Sequence, residues 1–127
     1  MLTLVRTMGY VKVKATLGSA QRTVTREVEF LADTGAFYTI VPPDLAKGLD
    51  IQPSARTRVT LADKRMVEVD VSLAYIKVLD REGIFLIAIM DAPEPLLGTT
   101  VFEGLGLRVD PSTGNVEYSR PYGLAVL

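Results

Sequence analysis

The sequence predicts an all-β fold, a small barrel or sandwich with one or two short helices. Three observations carry that expectation. Short stretches alternate apolar and polar residues with the period of two that half-buried strands require. Clusters of Gly, Pro, Asp and Ser punctuate them where the chain must reverse. Helical punctuation surrounds only two short stretches.

The elements follow in order. Tyr10 to Leu17 sets Val11, Val13, Ala15 and Leu17 against Lys12, Lys14 and Thr16, the pattern of a strand with one wet face. Gly18-Ser19-Ala20-Gln21 can turn the chain into a second run, Arg22 to Ala32, rich in Thr, Val and Phe. A short apolar stretch, Phe37 to Val41, ends at Pro42-Pro43. The segment Pro43 to Gly48 reads as a short helix, with proline in its first turn and Gly48 suited to the left-handed residue past its end. Arg56 to Leu61 and Met66 to Leu79 are two strands around Ala62-Asp63-Lys64-Arg65, a hairpin tip. Gly83 to Met90 is apolar enough for a fully buried strand. Thr99 or Thr100 can cap a helix through Phe102-Glu103, closed by Gly104. Leu107 to Val109 and Val116 to Tyr118 flank the turn Pro111 to Gly114. No linker, repeat or low-complexity tract interrupts this run, so residues 1–127 read as a single domain.

Composition removes several kinds of chemistry. The 127 residues include no histidine and no cysteine. Serine-histidine and cysteine-histidine hydrolysis both need an imidazole to take the nucleophile's proton, so both are closed. A metal site would have only carboxylate side chains to use, and no cofactor is expected. Carboxylates then head the list of acid-base groups. A net charge of -1 gives no electrostatic reason to expect nucleic acid as a partner. The apolar run Ile84 to Met90 is too short to span a bilayer, so no membrane partner is expected. Met1 to Arg6 shows no basic leader before an apolar stretch, and the absence of cysteine fits a reducing compartment. Together these lead to a cytoplasmic expectation.

The informative stretch is Phe30-Leu31-Ala32-Asp33-Thr34-Gly35-Ala36. A carboxylate leaves an apolar strand and is followed at once by a hydroxyl residue and a glycine. Taken alone, that triplet is also good turn chemistry. If Asp33 is catalytic, each neighbour has a task. Gly35 lets the backbone pass close and offers an N–H to the carboxylate. Thr34 supplies a hydroxyl able to reach a neighbouring chain, and Ala36 is small enough for a substrate backbone to lie beside it.

With its context, the stretch resembles the retropepsin-like aspartic proteases, particularly the prokaryotic single-domain members. Leu31 to Ala36, Thr39-Ile40-Val41-Pro42 and Leu45-Ala46-Lys47 resemble the family's active-site loop and the segment after it. Val59 to Arg65 looks like the flap hairpin, and Pro95-Leu96-Leu97-Gly98 like the second signature, two apolar residues then glycine. The three stand in the family's order over residues 10 to 118. The resemblance implies a small closed barrel of the retropepsin type, one half of the acid-protease fold. It implies Asp33, Thr34 and Gly35 as the catalytic loop. With it come Ala36, Phe37, Leu61, Ala62, Asp63, Met66 and Leu97 around a largely apolar substrate channel, and cleavage between large hydrophobic residues. Three departures stand out. Phe37 and Tyr38 occupy positions where viral members carry acidic residues that grip the substrate backbone, Thr99 replaces an arginine, and Lys64 stands where the flap tip often has glycine.

Peptide hydrolysis by carboxylates needs two of them in different protonation states, one to activate water and one to polarise the carbonyl. The sequence holds one Asp-(Thr/Ser)-Gly triplet, because Asp63, Asp70, Asp80, Asp91 and Asp110 lack the following pair. A two-fold axis placing Asp33 against its own copy completes the site, and the resemblance implies the same homodimer around a peptide or protein substrate. Thr34 is then the residue that hydrogen-bonds across the chains. The tail Leu124 to Leu127 is apolar enough to interleave at the interface. The rival reading keeps the same dimeric barrel as a non-catalytic module for peptide binding or assembly. Ala36 adds an expectation about pH. In pepsin-like relatives that position often carries a hydroxyl able to donate to the charged dyad, and alanine cannot, so activity should peak in mildly acidic to near-neutral solution.

Overall fold

A computed structural model describes residues 11–122. The expectations placed on Met1 to Arg6 and on Leu124 to Leu127 fall outside that range. Nine strands and two short helices make up the described chain. The strands are β1 (Lys12–Ser19), β2 (Thr25–Ala32), β3 (Thr39–Val41), β4 (Ala55–Thr60), β5 (Met66–Val78), β6 (Arg81–Ile89), β7 (Leu96–Leu97), β8 (Leu107–Asp110) and β9 (Asn115–Tyr118). The helices are α1 (Pro43–Gly48) and α2 (Thr99–Leu105).

Seven strands form one sheet in the order β1-β2-β7-β3-β6-β5-β4, and β1 also pairs with β5. The ladder therefore closes on itself, with β4 projecting from β5 as half of a hairpin. Strands β8 and β9 form a separate ribbon. Two pairings are parallel, β2 with β7 and β3 with β6. They arise because β7 lies between β2 and β3, so the chain leaving β2 must loop around its end before re-entering the sheet as β3. Asp33 is the first residue of that loop.

Alternation along β5 and β6 gives the sheet two apolar faces. Ala74, Ile76, Val78 and Ile87 turn into the main core with Leu17, Phe30, Val41 and the α2 residues Val101, Phe102 and Leu105. Burying each of the larger side chains contributes about 1.5–3 kcal/mol. Val69, Val71 and Ala88 face the other way into a smaller cluster, joined by Tyr38, Ile40, Val59, Val67 and Met90. That second cluster lies where the hairpin β4–β5 folds over the sheet.

Several local expectations are corrected. β6 is not fully buried: Ile84 and Leu86 face solvent, because among the described residues nothing packs on that side of the strand. Its apolar residues serve two faces, which a run of apolar letters cannot show. Gly48 closes α1 from within, and the left-handed residue past the helix is Asp50 at φ 56°. Neither threonine caps α2. Gly98 is its N-cap with no side-chain bond, and Gly106 at φ 68° is the C-cap in place of Gly104. The first turn lies later than Gly18, since β1 runs through Ser19 and Arg22 takes the positive φ of 56°. Among the described residues no helix is long and apolar enough to cross a membrane.

Candidate active site

Asp33 follows the last residue of β2 and is half-buried. Its N–H donates to the Leu97 carbonyl at 2.9 Å, so β7 fixes the backbone from which the carboxylate projects. Gly35 N–H donates to Asp33 Oδ1 at 3.1 Å, the contact expected of a residue with no side chain in the way. Ala36 N–H donates to the Asp33 carbonyl at 3.1 Å and tightens the turn. Thr34 is exposed, with its side chain free to meet another molecule.

The second apolar-apolar-glycine stretch clamps this loop from behind. Gly98 N–H donates to Oγ1 of the fully buried Thr39 at 2.9 Å, and Thr99 N–H donates to the Ala36 carbonyl at 2.8 Å. The fit is close. A Cβ on Gly98 would stand 2.5 Å from the Tyr38 carbonyl carbon and oxygen. Only glycine allows the two backbones to touch there.

A cavity of about 710 Å³ opens on this loop. Its walls are Asp33 and Gly35 to Tyr38 of the loop, Ile40 of β3, Arg58 to Thr60 of β4, and Leu61 and Ala62 at the hairpin tip. Ala88 and Met90 at the end of β6 and Leu96 of β7 complete it. The lining is mainly apolar, and its charged members are Asp33 and Arg58. Asp33 is thus the one carboxylate of the lining. Among the described residues β4 is the terminal strand of the sheet, and its outer edge is unpaired beside this space.

The structure brings together Asp33, Gly35, Ala36, Phe37, Leu61 and Ala62 of the residues expected from sequence. It leaves four outside the lining. Leu97 is fully buried behind the loop and acts through its carbonyl, because β7 turns that side chain into the main core. Thr34, Asp63 and Met66 are exposed at the loop and the hairpin tip. Sequence reasoning missed Tyr38, Ile40, Arg58, Val59, Thr60, Ala88, Met90 and Leu96 as lining. The available signal was strand alternation, which places Ile40, Ala88 and Met90 with the second cluster once β3 is paired with β6.

At the hairpin tip every bond is local. Leu61 N–H donates to the Arg65 carbonyl, and Lys64 N–H to the Leu61 carbonyl, with Lys64 at φ 70°. Asp63 accepts from Arg65 twice, from the backbone N–H at 3.0 Å and from Nε at 2.6 Å. Those two donors hold the Asp63 carboxyl below the usual carboxylate range.

A barrel with a β7-threaded aspartate loop under a projecting hairpin defines one lobe of an aspartic protease. The comparisons agree. A family model described as aspartyl protease matches residues 13–101, well over half of the chain. The chain belongs to the aspartyl protease family, as an aspartic-type endopeptidase, and its fold is retropepsin-like. A solved structure described as EIAV protease complexed with the inhibitor HBY-793 is similar in fold, with a TM-score of 0.60 and 19% identity. The match covers 78% of this chain and 90% of that one. No curated protein matches the chain.

Proposed function

We propose that two copies of this chain pair about a two-fold axis through the Asp33 loops and hydrolyse peptide bonds between them. One observation carries this reading: among the described residues the cavity lining holds a single carboxylate, while acid-base hydrolysis by carboxylates needs two. An isologous pairing supplies the second without any new residue, since each Asp33 meets its own copy.

The chemistry then follows from the dyad. Two carboxylates about 3 Å apart cannot both ionise easily, so they share a proton whose release belongs to the pair. The ionised member takes a proton from a water molecule, and the water oxygen attacks the scissile carbonyl carbon. The protonated member donates to the carbonyl oxygen. Collapse of the tetrahedral intermediate breaks the C–N bond as the amine nitrogen takes the proton that the first member drew from water. A hydroxyl of the intermediate returns a proton to the second member and becomes the new carboxyl's carbonyl. Gly35 N–H steadies the Asp33 carboxylate, Thr34 bonds across to the other chain, and Leu61 and Ala62 close over the peptide with the unpaired edge of β4 alongside.

Sedimentation at micromolar concentration should give twice the subunit mass. Wild type should cleave an unbiased peptide library, and Asp33→Asn should cut turnover by about 10²–10⁴-fold with the dimer intact. A monomer that cleaves, or an Asp33→Asn dimer as active as wild type, would sink the shared site. Peptide binding with no cleavage by wild type would favour the non-catalytic module.

A further inference from the structure

Among the described residues Arg81, at the start of β6, is the one buried charged side chain. Its Nη1 donates to three carbonyls, those of Leu105 at 2.9 Å, Gly106 at 3.1 Å and Arg120 at 2.8 Å. The guanidinium lies 4.1 Å from the centre of the Tyr118 ring and 5.3 Å from that of Tyr122. Each ring is tied down at its hydroxyl. Tyr118 donates to Asp80 Oδ1 at 2.6 Å, and Tyr122 donates to the Glu82 carbonyl at 2.8 Å. Arg120 joins the same helix end, its Nη2 donating to the Glu103 and Gly104 carbonyls at 2.8 and 3.1 Å. Two guanidinium groups therefore bond the carbonyls of residues 103–106, where α2 runs out of partners of its own. The opposite end of α2 holds the Asp33 loop, through Thr99 N–H to the Ala36 carbonyl and Thr100 Oγ1 to the Phe37 carbonyl. Between these ends there is no slack. Val101, Phe102 and Leu105 sit in the main core, and a Cβ on Gly104 would stand 2.6 Å from Phe85 Cε1.

We propose that Arg81 and Arg120 are positioning residues for the catalytic loop: they clamp α2 to residues 119–122, and α2 in turn sets where Asp33 stands. The inference rests on the shared-site reading and adds the residues that keep its dyad aligned. Seven residues make a strut about 10 Å long, short and packed enough to turn or slide as one body. A shift at its clamped end is then passed to Thr99 and Thr100. A misplacement of about 1 Å at the reacting groups can cost 10²-fold in rate, even when its origin is remote. The segment from Ser119 to Tyr122 thus belongs to the scaffold of the active site, although the cavity lining contains none of its residues. It is sewn down along its length, since Ser119 N–H also donates to the Gly106 carbonyl at 2.8 Å.

The test uses the full chain and compares Arg120→Ala, Arg120→Lys and Arg81→Lys with the control Arg108→Ala. Arg108 is an exposed arginine paired with Glu117 across the β8–β9 ribbon. Amide hydrogen exchange is read at Thr99, whose N–H is bonded to the loop, and along β1 as the measure of global opening. Arg120→Ala should speed exchange at Thr99 by roughly tenfold with β1 unmoved. Arg120→Lys should recover part of that protection, and Arg108→Ala should change neither. In peptide cleavage, kcat of Arg120→Ala should fall by about ten- to a hundredfold with KM unchanged, the split expected when alignment is lost and binding is kept. Arg81→Lys should lose at least as much. If it fails to fold, the exposed Arg120 decides alone. Three results overturn the inference. Equal acceleration at Thr99 and β1 would make the clamp a stability device only. Unchanged exchange and kcat in Arg120→Ala would leave the loop independent of the clamp. A dimer that dissociates on sedimentation, with kcat restored at high protein concentration, would make the clamp an assembly contact. Absence of cleavage by wild type would refute the proteolytic reading, and exchange at Thr99 would still decide whether the clamp holds the loop.

Discussion

The Asp33 loop and the hairpin tip face each other across one cavity and are held in opposite ways. Residues 33–39 are bonded to residues 97–100, so each tether joins segments about sixty positions apart in the chain. The tip, Leu61 to Arg65, is held by bonds among Leu61, Asp63, Lys64 and Arg65. The difference fits the two tasks proposed for them. A catalytic carboxylate must stay within a fraction of an ångström of its working position, and long-range tethers on a rigid sheet achieve that. A roof over a peptide must open to admit it, and a tip with only local bonds can move without disturbing the barrel. Substitutions on the two sides of the cavity should therefore behave differently.

The largest effect belongs at Gly98. Gly98→Ala forces a methyl to within 2.5 Å of the Tyr38 backbone, where no flexible side chain can yield. Thermal or denaturant unfolding should show a loss of about 1–3 kcal/mol or more, typical of overpacking, with turnover falling further as the loop shifts. Wild-type stability in that variant would show that the loop is looser than its bonds imply. Thr39→Val comes next. It keeps the shape and removes the acceptor for Gly98 N–H, leaving a buried donor unpaired at a cost of about 1–3 kcal/mol. A neutral result would mean that water reaches Gly98.

How much of this was legible in sequence depends on the range of the interaction. Pro43 to Gly48 is a helix with the bounds that its proline and glycine mark, and the hairpin around Ala62 to Arg65 is where its polar tip placed it. Both are set by neighbours within a few residues. The exposed face of β6 was not legible, because apolar residues on both sides of a strand look the same whether one face is covered or two. Asp33 was legible as a carboxylate of the cavity lining, since its triplet is contiguous. Thr39 and Thr100 were not legible as tethers, because their partners are far along the chain and meet them only once β7 is threaded between β2 and β3. Arg58, Ala88 and Met90 joined the lining for the same reason.

A change inside the pinned loop should alter chemistry more than stability. Ala36 lines the cavity beside Asp33, and its N–H already serves the Asp33 carbonyl. Ala36→Thr adds a hydroxyl able to donate to the charged form of the dyad. A hydrogen bond to an ionised group contributes about 1.5–3 kcal/mol, so the acid limb of the pH–rate profile should move down by roughly one pH unit. An unmoved limb in a folded dimer would mean that the side chain at 36 does not reach the dyad.

The smallest effect is expected at the tip, and there two opposing contributions decide it. Lys64 sits at φ 70°, which costs a residue with a Cβ about 1–2 kcal/mol. Lys64→Gly removes that cost but frees the unfolded chain, which takes back roughly 0.4–1 kcal/mol. Global stability should therefore rise by about 0–1.6 kcal/mol, opposite in sign to the loss at Gly98. The remaining pin is Asp63, whose carboxyl is held below the usual carboxylate range by the Arg65 N–H and then the guanidinium. A group depressed in the folded state contributes above its unfolded pKa and loses that contribution as pH falls through the lowered value. In acid the Arg65 amide should therefore lose its acceptor and sharpen toward a mobile signal by NMR, while the amides of Asp33, Gly98 and Thr99 stay fixed. The pair is exposed, so added salt should weaken it in the same direction. If the Asp33 loop loosened together with the tip, the two walls of the cavity would be one cooperative unit and the contrast between them would fail.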